Sequence, residues 1–129
     1  MTVLLTGEDV ERLARAHGAA QACGDCNAFA SKGWEAFPST VSDKALVLLG
    51  ATWDPEHAEP TIEEFHEAGS SLWSPEAPIA LQFHPYNRCE LWKCRSCEKP
   101  YLRYTEYGGY YVEKRIRELR PELITHVQP

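Results

Sequence analysis

The spacing of apolar positions in this chain is helical near its start and strand-like near its end. Between Gly7 and Ala20, Val10, Leu13, Ala14 and Ala16 or His17 recur on one helical face. Glu8, Asp9 and Glu11 fall in the first turn, where the helix dipole favours acids, and Gly18 is the expected stop. From Arg88 onward the pattern is that of strands. Arg88 to Lys93 reads as one strand, and Tyr101 to Tyr107 and Tyr110 to Glu118 as two more joined by Gly108-Gly109, which suit a two-residue hairpin turn. Such a turn sets Tyr107 opposite Tyr110, Thr105 opposite Val112 and Tyr101 opposite Ile116, pairs of the kind that stabilise a hairpin. It also sets Arg103 against Lys114, which is unfavourable without an acid nearby. Pro121 closes the last strand.

The middle of the chain is less periodic. Ala45 to Leu49 fits a short helix capped by Ser42 or Asp43, and Val47-Leu48-Leu49 fits a buried strand equally well. Thr61-Ile62-Glu63-Glu64 has the form of a capping box and predicts a short helix to Ala68. Trp34-Glu35-Ala36-Phe37-Pro38 reads as a turn with two aromatic anchors. Residues 51–61 read as loop, and Gly69 to Pro85, with Pro75, Pro78 and Pro85, as an ordered but irregular connection. These elements predict an α+β fold: a small antiparallel sheet with a C-terminal β-hairpin, packed with N-terminal helices and long Pro-rich loops.

Composition bounds the picture without redirecting it. A chain of 129 residues, 43% hydrophobic, is the size of one domain with a modest core, so residues 1–129 are expected to fold together. Met1 to Thr6 lacks the charge and length of a secretory signal, and no apolar run reaches a membrane span, so a cytoplasmic protein without a membrane partner is expected. In that compartment thiols stay reduced, and the five cysteines are not expected to form disulfides.

Charge is unevenly placed. The net charge is −6, and residues 43–77 hold eight acids against Lys44 alone, whereas residues 88–120 hold nine bases against five acids. The acidic total argues against a general nucleic-acid binder, whose affinity comes mostly from neutralising phosphates. The first reading of an acidic run is a solvated face; the second is a surface that steers a cationic partner.

The cysteines carry the clearest chemistry. Cys23-Gly24-Asp25-Cys26 and Cys94-Arg95-Ser96-Cys97 share one spacing, which lets both sulfurs of a tight turn reach one ion, and two such pairs supply the four thiolates that tetrahedral zinc prefers. A local alternative takes His84, Cys89, Cys94 and Cys97, although Cys89 within a strand also suits a buried small hydrophobe. A chain with no metal remains open. The spacing matches neither ferredoxin pattern, and no βαβ context supports a thioredoxin-like role.

With its flanking strands, the second cysteine pair resembles a zinc-ribbon or zinc-knuckle half-site. The resemblance covers residues 88–118 and gains Cys23 and Cys26 if they complete it. It implies that Cys23, Cys26, Cys94 and Cys97 are ligands of a structural Zn2+ with no open position. The chain departs from a compact ribbon, because 67 residues separate the pairs where about 15–20 is usual. Loop closure becomes more costly only slowly with length. The stretch Leu102 to Tyr111, with Arg115 to Leu119 after it, is similar to a group of short bacterial proteins, which implies a bacterial origin and no mechanism.

Other candidate chemistry is weaker. Glu63 and His66 stand three apart, like one half of a di-iron motif, but the other half is missing, and solvated surface is the favoured reading. The chain has no nucleophile elbow and no phosphate-cradling glycine loop. His84-Pro85-Tyr86-Asn87-Arg88 could line a pocket with Trp73 and Trp92, or pack as an ordered loop. Tyr104, Tyr111 and Arg115 belong to a set of tyrosines interleaved with bases, which suits single-stranded nucleic acid or a protein partner, and the acidic chain favours the protein. The expected function is a non-enzymatic protein-interaction module, with Glu63, Glu64, Glu67, Tyr104, Tyr111 and Arg115 in contact. The immunity proteins of toxin systems, which mask a basic partner, are the nearest analogy. The alternatives are a zinc-ribbon nucleic-acid module and an enzyme with a site around His66 and His84.

Overall fold

A computed structural model of the chain describes residues 3–53, 61–65, 71–107 and 110–127. The first element is the helix α1 (Gly7–His17). Thr6 caps it: its Oγ1 accepts from the Asp9 backbone N–H at 3.1 Å, and its own N–H donates to Asp9 Oδ2 at 3.0 Å. This reciprocal pair satisfies two of the donors that a helix start leaves open. Val10 and Ala14 are its buried face. It is the one α-helix among the described residues, where the sequence predicts several.

The rest is mostly sheet. The strands are β1 (Glu35–Ala36), β2 (Leu46–Ala51), β3 (Ile79–Ala80), β4 (Glu90–Cys94), β5 (Pro100–Tyr107), β6 (Val112–Glu118) and β7 (Ile124–Thr125). Five form an antiparallel sheet in the order β1-β6-β5-β4-β2, and β3 pairs with β7 in a short parallel ladder. The ambiguous run at Val47 resolves as strand because β4 supplies a partner for it. Leu46 pairs with Cys94 and Ala51 with Glu90, across an irregularity between Leu48 and Gly50. Gly50 is required there. A Cβ at that position would lie 2.6 Å from the carbonyl oxygen of Val3, in the N-terminal segment that bonds to Ala51.

Three expectations need correction. Trp34 to Pro38, read as a turn, supplies β1, whose Glu35 and Ala36 pair with Ile116 and Arg115 of β6. The helix predicted from Thr61 fails over residues 61–65, which are irregular; Glu67 and the remainder of that element lie outside the described residues. The carbonyls a helix would need are used elsewhere. His84 N–H donates to the Glu63 oxygen at 2.8 Å, and Asn87 Nδ2 to the Thr61 oxygen at 2.9 Å. The hairpin register also differs from the two-residue turn. Tyr107 pairs with Val112, Thr105 with Lys114, Arg103 with Ile116 and Tyr101 with Glu118. The connection is therefore four residues long. Each partner moves by two positions, which keeps every side chain on its expected face and takes Arg103 away from Lys114. Gly108 and Gly109 lie outside the described residues.

Alternation along the strands separates two buried clusters. On one face Leu91, Leu102 and Tyr104 pack with Val10 and Ala14 of α1 and with Trp34, Ile79, Tyr86 and Leu119. On the other, Leu46, Cys94, Tyr101 and Ile116 pack with Cys26 and Phe29. The first cluster encloses a cation. Arg117 is fully buried; it donates to the Tyr86 hydroxyl at 2.9 Å and to the carbonyls of Lys32 and Pro75 at 3.1 and 3.4 Å.

Candidate metal centre

Each cysteine pair sits on a turn that its backbone closes. After Cys23, the N–H of Asn27 donates to the Cys23 oxygen at 2.9 Å. Cys94 ends β4, and the chain reverses through Glu98, whose φ of 65° is left-handed. The Glu98 N–H returns to the Cys94 oxygen at 2.9 Å, and the Cys94 N–H bonds to the Lys99 oxygen at 2.9 Å. The two turns meet side by side. Ser96 Oγ donates to the Asp25 carboxylate across them, and Phe29 lies edge-on to Tyr101 at 5.6 Å.

The four sulfurs of Cys23, Cys26, Cys94 and Cys97 all lie within 4.8 Å of one another. Cys23 and Cys26 are 3.9 Å apart, Cys23 and Cys94 3.6 Å, and Cys26 and Cys97 3.7 Å. Four sulfurs placed tetrahedrally at about 2.3 Å from one ion stand about 3.8 Å apart, whereas a disulfide needs about 2.05 Å. The arrangement could hold a metal ion, and all five cysteines are free. Cys26 and Cys94 are buried, while Cys23 and Cys97 are half-buried.

Hydrogen-bond donors surround the sulfurs. The backbone N–H of Asp25 beside Cys23 lowers its thiol pKa to about 7. Burial raises the Cys26 thiol to about 12, against the Tyr101 hydroxyl, which lowers it; that hydroxyl donates to Cys26 Sγ at 3.1 Å. Burial also raises Cys94, with the N–H groups of Cys97 and Ser96 opposing it. Nearby, Lys99 is buried. It pairs with Glu118 at 2.9 Å and donates to the Ala20 oxygen at 2.5 Å, which ties the segment after α1 to β6.

The local alternative with His84 and Cys89 does not assemble. Cys89 lies in the α1-side cluster, its thiol donating to the Pro85 oxygen at 3.1 Å, and burial raises its pKa well above the usual thiol value. His84 lines a cleft of about 580 Å³ with Trp53, Arg88, Cys89, Trp92 and Tyr107, away from the four clustered sulfurs. Of the pocket expected around His84, Trp92 is present. Trp73 is elsewhere, with the Arg115 guanidinium 4.3 Å from its ring. His66 lies outside the described residues.

The residues expected to contact a partner divide by exposure. Tyr111, Glu63 and Glu64 are exposed. Tyr104 and Arg115 are buried against each other, Arg115 Nη1 donating to the Tyr104 hydroxyl at 2.9 Å. Arg115 also bonds Glu113 at 2.8 Å and lies 3.7 Å from Glu106, so one guanidinium relieves two carboxylates that face each other across the hairpin. The sequence reading missed Arg117 as a core residue. The signal available was its parity with the apolar Leu119, which is buried in the α1-side cluster. Among the described residues no helix is long and apolar enough to cross a membrane. No family model, curated protein or solved structure matches the chain.

Proposed function

We propose that this chain is a small interaction protein whose fold is clamped by one structural zinc ion on Cys23, Cys26, Cys94 and Cys97. The observation that carries the reading is the set of sulfur separations, 3.6–3.9 Å for three pairs and all within 4.8 Å, drawn from turns far apart in sequence. That spacing is what a tetrahedral four-thiolate ion requires. All four positions are then filled by protein, so the ion has a scaffolding role and no site for substrate. The two pairs form a zinc knuckle completed from a distance.

The interaction role rests on the surface. Tyr107, Tyr110, Tyr111 and Val112 are exposed together at the hairpin tip, a composition that favours protein contact. Glu63 and Glu64 are exposed on a chain of net charge −6, which fits a basic partner of the kind immunity proteins mask. The test is metal analysis of the purified chain with Cys→Ser changes at all five cysteines. One zinc per chain is expected, lost at four positions and kept in Cys89→Ser. A metal-free but folded wild type would refute the clamp. Retention of a basic partner by a chain with Glu63 and Glu64 both changed to Gln would refute the steering.

A further inference from the structure

Of the hydrogen bonds around the four sulfurs, one comes from a side chain on the strand between the metal turn and the hairpin. Tyr101 is fully buried, and its hydroxyl donates to Cys26 Sγ at 3.1 Å. A buried phenol needs an acceptor, and among the described residues this sulfur is the one it has. A metal-bound thiolate accepts such a bond better than a neutral thiol does, because the donor meets a negative charge. The ring is fixed on both sides: Tyr101 pairs with Trp92 and Glu118 in the sheet and meets the Phe29 ring edge-on. The hydroxyl is therefore placed by the sheet on one side and by Phe29 of the first cysteine turn on the other.

We infer that Tyr101 is a positioning residue of the metal centre, which fixes the Cys26 sulfur and tunes its bond to the ion through this hydrogen bond. The inference rests on the four-cysteine reading above. Cys26 has particular need of it, since its sulfur is buried from water. Partners of this outer kind typically contribute about 10–100-fold in metal affinity. Tyr101 also couples the site to the sheet, because the strand that presents the hydroxyl continues into the hairpin.

The test compares Tyr101→Phe with Tyr86→Phe, each of which removes one buried hydroxyl and keeps the ring. Tyr86 lies in the other cluster, where its hydroxyl meets Trp34 and Arg117. Zinc affinity is read by chelator competition, and the bond to Cys26 by the sulfur-to-metal charge-transfer band of the Co2+-loaded protein. Tyr101→Phe is expected to weaken zinc binding by about 10–100-fold and to move the band to lower energy, since an unbonded thiolate gives up its electrons more readily. Tyr86→Phe is expected to lower the melting temperature and leave affinity and band unchanged. Equal affinity and an identical band in Tyr101→Phe and wild type would overturn the inference while leaving the metal site intact. Equal losses of affinity in both variants would overturn it too, by showing a general effect of stability. A wild type that takes up neither zinc nor cobalt would instead defeat the four-cysteine reading.

Discussion

The α1 side of the sheet buries eleven side chains in one cluster, including Trp34, Tyr86, Leu91 and Leu102. The opposite side buries six, two of them cysteines. The larger cluster absorbs the Arg117 cation by giving it a hydroxyl and several carbonyl partners. The smaller one has fewer fully buried side chains, and its sulfurs are spaced for an ion. On the proposed reading, one face is closed by packing and the other by coordination. That difference predicts which substitutions matter on each side.

The largest effect should come from the metal face. Cys94→Ser is expected to lose the ion and cost at least about 3 kcal/mol, because metal binding and folding are one process at such sites. Parallel metal analysis and thermal melting would show it. Next is Arg117→Ala on the packed face, which opens a cavity in the core and takes from the buried Tyr86 hydroxyl one of its two donors, Trp34 Nε1 being the other. It is expected to cost about 3 kcal/mol in denaturant unfolding, with metal content unchanged. Cys89→Ala sharpens the contrast, since it deletes a sulfur on the packed face. A cost of about 1 kcal/mol and full metal content are expected.

Much of this contrast can be read in the sequence, and some cannot. The two Cys-x-x-Cys turns identify the candidate ligands, because only a few residue types bind soft metals and their spacing is local. The start of α1 and the strands β4, β5 and β6 are legible for the same reason: their signals lie within a few residues of each other. What fails depends on distant partners. Thr61 and Glu63 have the letters of a helix start, yet their carbonyls go to Asn87 and His84, more than twenty residues away. The strand at Val47 is decided by β4, and the hairpin register by a longer turn than the paired glycines suggest. Arg115 and Arg117 read as surface bases because arginine usually is; their burial depends on Tyr104, Tyr86 and the loop carbonyls that face them.

Smaller effects test the cleft and the hairpin tip. Burial, with the Arg88 charge second, holds the His84 pKa below its ordinary value, against Glu106 and Glu64, which raise it. The folded chain therefore resists a proton that the unfolded chain accepts. The stability this carries is complete above about pH 6.5 and is lost as the pH falls through the lower folded value. Melting curves should show wild type losing more stability than His84→Phe between about pH 7 and pH 5. Smallest of all is Tyr110→Ser at the fully exposed tip. It should change stability by no more than about 0.5 kcal/mol and weaken partner binding, measured by titration calorimetry once a partner is in hand.

Amide hydrogen exchange of the metal-loaded and chelated protein, read segment by segment, tests the clamp most directly. With the ion removed, protection should fall first in residues 23–37 and 94–99, while α1 and the centre of β4 and β5 keep theirs. Unchanged protection around the four cysteines after the ion has gone would contradict the account, and an equal loss on both sides of the sheet would contradict the distinction drawn between them.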